Sequence, residues 1–140
     1  MLKKFLAMST VFIGLLLAMV IQPGAANAAI TERCSDWVVG NGGKYRTCIF
    51  ASVDVVRART VIVTTRCPSL CLYPSGSRLY VELYAKGVRV NADAITYPLG
   101  QGGTYQVVAY YKNDRGSNDR YWSVGRGSWG ARVQSQSVIV

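Results

Sequence analysis

Apolar and polar positions alternate with a period of two along most of this chain, and one long unbroken apolar run stands at its start. Val61-Ile62-Val63, set among threonines within Val55 to Arg66, has the β-branched density of a buried strand. Leu79, Val81, Leu83 and Ala85 alternate with Tyr80, Glu82, Tyr84 and Lys86. Beyond Lys86-Gly87, Val88, Val90, Ala92 and Ala94 alternate with Arg89, Asn91 and Asp93. The two runs predict a hairpin with one buried and one wet face. Pro98 to Gly103 breaks the pattern, Thr104 to Lys112 and Arg120 to Val124 read as further strands, and Asn113 to Asp119 is a polar loop between them. Gly125 to Gly130 reads as a Gly-rich break, after which Ala131 to Val140 alternates again. No helical period of useful length competes with this. Seven or eight short strands predict an all-β fold: a single antiparallel β-sandwich, with a small β-barrel as the alternative.

The apolar run at the start is a leader. Lys3 and Lys4 precede the apolar stretch Phe5 to Ile21, Pro23-Gly24 ends it, and Ala26-Asn27-Ala28 is an A-x-A cleavage site. Residues 1–28 are therefore expected to be a signal peptide and 29–140 a single secreted β domain, with no membrane segment left after cleavage. The leader resembles those of Gram-positive bacteria. Removing 28 of the 140 residues leaves 112, enough for one modest core. Export also frames the cysteines: Cys34, Cys48, Cys67 and Cys71 all follow the cleavage site, and an even count in a small exported domain reads as two disulfides. Asn41-Gly42 is a hairpin turn signal. A three- or five-residue loop centred on Asn41 would put Cys34 opposite Cys48, whereas a two-residue loop would shift the register by one. Cys67 and Cys71 would then close their own small loop. Their C-x-x-x-C spacing fits neither a redox C-x-x-C nor a zinc knuckle.

Pro98-Leu-Gly-Gln-Gly-Gly-Thr-Tyr105-Gln-Val107-Val-Ala109 resembles the G-x-Y-x-V-x-A start of a late strand in immunoglobulin-like and fibronectin III-like domains. The resemblance implies a β-sandwich in which Tyr105, after a Gly-rich corner, hydrogen-bonds back to the upstream backbone. It implies no function.

Charge narrows the chemistry. The chain carries 16 Lys+Arg against 7 Asp+Glu, a formal net charge of +9 that falls to +7 once Lys3 and Lys4 leave with the leader. It has no histidine, which removes Ser-His-Asp and Cys-His nucleophiles and nearly all zinc hydrolases. The seven carboxylates sit mostly beside basic residues or in turns, so a two-carboxylate hydrolase is a minor expectation. Asn113 to Asp119 lacks the closing Glu of a calcium loop. No enzyme activity, metal or cofactor is expected.

What remains is basic and aromatic. Tyr110, Tyr111, Lys112, Arg115, Arg120, Tyr121, Trp122, Arg126, Trp129 and Arg132 crowd one C-terminal stretch. Arg gives bidentate contacts to phosphate or carboxylate, and Tyr and Trp give flat surfaces for sugars or a lipid interface. Lys112, Arg115, Arg120, Tyr121, Trp122, Arg126, Trp129 and Arg132 are the expected ligand-binding residues. The expected function is a secreted, non-enzymatic cationic protein that binds an anionic cell-surface polymer, lipid or glycan, with an antimicrobial, toxin-like or host-eliciting effect. A secreted protein-binding module, such as an inhibitor or matrix component, is the second expectation. Nucleic acid ranks low for an exported chain without a recognition motif.

Overall fold

A computed structural model describes residues 31–40, 42–67, 76–113, 118–128 and 130–140. The expected leader lies outside the described residues. Among the described residues ten strands follow one another: β1 (Thr31–Cys34), β2 (Val38–Gly40), β3 (Gly43–Ala51), β4 (Val55–Arg66), β5 (Ser77–Ala85), β6 (Val88–Tyr97), β7 (Gln101–Lys112), β8 (Arg120–Gly127), β9 (Val133–Gln134) and β10 (Val138–Ile139). They form two antiparallel sheets. The first runs β1-β3-β4-β7, with β2 also paired to β3; the second runs β10-β8-β5-β6, with β9 also paired to β8. Both are open paths, so neither closes into the alternative barrel among the described residues.

The core lies where the inward faces meet. Tyr45, Ile49, Val56, Ala58, Ile62 and Val107 come from the first sheet, and Leu79, Val81, Leu83, Tyr97 and Tyr121 from the second. On β4 and β5 every second residue is buried, as the period of two predicts. A line of hydroxyls crosses this core. Thr60 Oγ1 donates to Thr47 Oγ1 at 3.2 Å, and Thr47 Oγ1 lies 2.9 Å from Ser123 Oγ. Buried hydroxyls are tolerated because each has a partner.

Three details differ from the sequence reading. First, Gly40 pairs with Gly43, which leaves the two-residue loop that should have spoiled the Cys34–Cys48 register. Cys34 nevertheless stands opposite Cys48, and the two are joined. The one-residue offset is absorbed between β1 and β2, where Ser35 donates its N–H to Thr47 O and accepts the Thr47 N–H on its Oγ. The second expected bridge depends on Cys71, outside the described residues; Cys34–Cys48 is the one disulfide with both ends among them. Second, β6 does not alternate as expected. The pairing shifts between Leu83 and Tyr84, where Val90 is the extra residue. Asn91 and Asp93 therefore share the side of Leu83 and Val81, while Ala92 is exposed. Asn91 uses this position at the sandwich edge, donating from Nδ2 to Tyr110 O at 2.7 Å. Third, β8 continues through Gly125, Arg126 and Gly127, which the sequence reading took for a break.

The Tyr105 ring packs beside Tyr97 with centroids 5.5 Å apart. No hydrogen bond from its hydroxyl to the upstream backbone is seen among the described residues.

Two buried tyrosines give the fold an alkaline limit. Tyr45 is fully buried and donates to Ala131 O at 2.7 Å, and Tyr97 is 1% exposed. Burial pushes both phenols above their ordinary value of 10.0. A raised folded-state pKa means that the folded chain holds its protons more tightly than the unfolded one. The resulting stability is full below about pH 10 and is lost as pH rises through the folded-state values. Melting temperature is expected to fall steeply above about pH 10, and Tyr97→Phe to make that fall shallower. Parallel alkaline slopes for the two proteins would refute this.

Candidate anion-binding face

The alternation that fills the core also fixes what each sheet shows to solvent. On the first sheet, the outward positions are Lys44, Arg46, Cys48 and Phe50 of β3, Val55, Arg57, Arg59, Val61, Val63 and Thr65 of β4, and Thr104, Gln106, Val108, Tyr110 and Lys112 of β7. Five are cationic and none is acidic. One carboxylate reaches this face from the edge strand: Glu32 of β1 accepts from Arg59 Nη2 at 2.7 Å.

Aromatic rings hold three of these cations. The Arg46 guanidinium lies 4.6 Å from the centroid of the Trp37 ring, with Lys44 Nζ at 5.2 Å from the same ring. Arg57 lies 4.8 Å from the Phe50 centroid. Such contacts contribute about 0.5–1 kcal/mol at exposed sites. They orient a cation without cancelling its charge, as a carboxylate would. The Nε atoms of Arg57 and Arg59 are buried and have no hydrogen-bond partner. These guanidinium groups are partly stripped of water, which strengthens any charge-assisted bond their outer nitrogens form.

The second sheet presents a different pattern. Tyr80 lies between Arg78 and Arg126, whose guanidinium groups stand 5.4 and 4.5 Å from its centroid. Tyr84 and Trp122 stack with an interplanar angle of 5°. In the middle sits Glu82, which accepts from Tyr84 OH at 2.9 Å and Arg132 Nη2 at 2.6 Å and lies 3.6 Å from Arg89. A carboxylate thus interrupts this face at its centre. An open pocket between Trp122, Tyr84 and Arg132 is lined also by Val124, Val133 and Gln134.

The C-terminal cluster read from sequence is divided by this geometry. Lys112 and Tyr110 lie on the first sheet's outer face. Arg120, Trp122 and Arg126 lie on the second sheet's outer face, with Arg132 beside them. Tyr121 points inward, 1% exposed, with its hydroxyl donating to Asn113 Oδ1, so it cannot be a contact residue in this fold. Tyr111 packs partly buried against the core. Arg115 and Trp129 lie outside the described residues. Sequence proximity misled here because β7 and β8 belong to opposite sheets. The cations of β3 and β4 were missed, although their spacing at alternate positions was visible: Lys44 and Arg46, then Arg57 and Arg59.

Among the described residues, Glu32, Cys34 and Cys48 bring a carboxylate and two sulfurs together, but both sulfurs are committed to the disulfide. Comparison with protein-family models, with curated proteins and with solved structures found no match.

Proposed function

We propose that this chain is an exported, non-enzymatic β-sandwich that attaches to an anionic surface through the outer face of β3, β4 and β7. One observation carries this reading: five cations and no carboxylate occupy the outward positions of those strands. The engagement of Glu82 by two arginines and a tyrosine supports a structural rather than catalytic use of that carboxylate. The chain's path supports the likeness to immunoglobulin-like and fibronectin III-like domains, since it changes sheet between β4 and β5, β6 and β7, and β7 and β8. An antimicrobial, toxin-like or host-eliciting effect would be a consequence of attachment.

Binding of residues 29–140 to phosphatidylglycerol vesicles and to whole bacterial cells tests the reading. Raising salt from about 0.1 to 1 M shortens the screening length from about 10 to 3 Å and should abolish most binding. Arg57→Ser with Arg59→Ser should weaken binding about tenfold. Arg78→Ser with Arg126→Ser removes the same charge from the opposite face and should leave binding within about twofold. Equal losses for the two pairs, or indifference to salt, would refute attachment by this face.

A further inference from the structure

The five cations at the outward positions of β3, β4 and β7 are not merely on one face; they are spaced along it. Pairing aligns the outward residues of β3, β4 and β7 in successive rows, each two residues further along the strands. Lys112 shares a row with Val55, and Arg57 with Phe50 and Tyr110. Arg59 shares the next with Cys48 and Val108, Arg46 the next with Val61 and Gln106, and Lys44 the last with Val63 and Thr104. Each of these five rows holds one cation, and together the five cross the sheet diagonally from β7 through β4 to β3. Two residues of strand span about 6.7 Å and neighbouring strands lie about 4.8 Å apart, so successive cations stand about 7 Å apart along one strand and about 8 Å apart where the stripe steps between strands, over about 28 Å in all.

We infer that the preferred ligand of this stripe is a linear polyol-phosphate chain, with one phosphodiester to each row. This rests on the reading that the face binds anions and adds the identity of the anion. A glycerol phosphate repeat has six backbone bonds from one phosphorus to the next, about 6–7 Å when extended. Its charge interval therefore matches the row interval, and five repeats cover the stripe. A polyphosphate carries its charges at about half that interval and leaves alternate groups between rows. Single-stranded nucleic acid offers similar phosphate spacing, but proteins that bind it add to the phosphate contacts a series of aromatic faces on which successive bases stack. Here the rings of Trp37 and Phe50 are already covered by Arg46, Lys44 and Arg57. That leaves Tyr110, 57% exposed, as a single open ring in the Arg57 row, not the series of faces on which successive bases stack.

The decisive measurement is titration of residues 29–140, with disulfides intact, with glycerol phosphate oligomers of two, five and ten repeats at low salt. Affinity should rise at least tenfold from two to five repeats and by no more than about threefold from five to ten. Lys44→Ser with Lys112→Ser removes the two ends of the stripe, both exposed, so the fold should stand. This variant keeps three of the five rows, so it should lose most of the gain between two and five repeats while binding two repeats as before. Phosphatidylglycerol vesicles, polyphosphate and an oligothymidylate, at equal phosphate concentration, should each bind at least tenfold more weakly than the five-repeat chain. If any of these three matches it, the polyol-phosphate assignment is overturned while attachment to anions stands. If none of the probes binds, attachment falls as well.

Discussion

Replacing Gly125 with alanine is expected to cost about 3–5 kcal/mol of stability, a large part of what holds a domain of this size together. Gly125 lies on β8 with its inward side against the first sheet. A Cβ there would collide with Thr60 Oγ1 and stand 2.8 Å from Thr60 Cγ2 and 2.9 Å from Thr47 Cβ. None of these atoms is the loose end of a long side chain. Thr60 and Thr47 are fully buried, and their hydroxyls hold each other and Ser123. A methyl group must therefore push the sheets apart or turn the threonines, leaving buried hydroxyls unpaired. Gly87 provides the contrast. It lies in the β5–β6 turn with nothing within 4 Å of the added Cβ, but its φ of +82° strains any other residue. Gly87→Ala should cost only about 1–2 kcal/mol. Urea unfolding of both variants separates the cases, and a Gly125→Ala protein within about 1 kcal/mol of the parent would show that the sheets are not in such close contact.

The same glycine shows where the sequence was legible and where it was not. Strands with β-branched or Leu-rich alternation were readable, because burying every second residue is a local rule. β4 runs over the expected Val55 to Arg66, and the inward residues of β5 are Leu79, Val81, Leu83 and Ala85. Gly125 to Gly127 looked like a break because glycine is poor in strands, yet here glycine is what lets two sheets approach. That reason lies in Thr47 and Thr60, far away in the chain. The bulge at Val90 was hidden for a similar cause. It turns Asn91 toward the carbonyl of Tyr110, a partner supplied by the other sheet.

The ingredients of the candidate face are legible in the sequence, but their placement is not. Surplus arginine and aromatic rings are plain in the composition, and the pairing register decides which of them share a face. The stretch from Tyr110 to Arg132 looks like one surface in the sequence because its residues are close along the chain. The chain changes sheets within it, so Lys112 and Arg126 face opposite directions. The row of cations is assembled instead from three strands, β3, β4 and β7, and emerges only from the pairing register. A surface that depends on register is invisible to a reading made one segment at a time.

Removing the Cys34–Cys48 bridge by alanine at both positions should lower stability by about 3 kcal/mol, given the separation of 14 residues between its ends. That corresponds to a fall of about 10 °C or more in melting temperature. Its effect on binding should run the other way. The bridge ties the four-residue edge strand β1 to β3, and β1 carries Glu32, the carboxylate that neutralises Arg59. Without it, β1 frays more readily, Glu32 leaves Arg59 more often, and the central cation of the stripe is uncovered. Below its lowered melting temperature, the double variant should bind anionic probes at least as tightly as the parent. Glu32→Gln in the bridged protein should give the same gain with little loss of stability, since an exposed ion pair contributes about 1 kcal/mol or less. A fall in binding in step with stability, or no gain with Glu32→Gln, would mean that Glu32 does not restrain the face. The disulfide would then serve the fold alone.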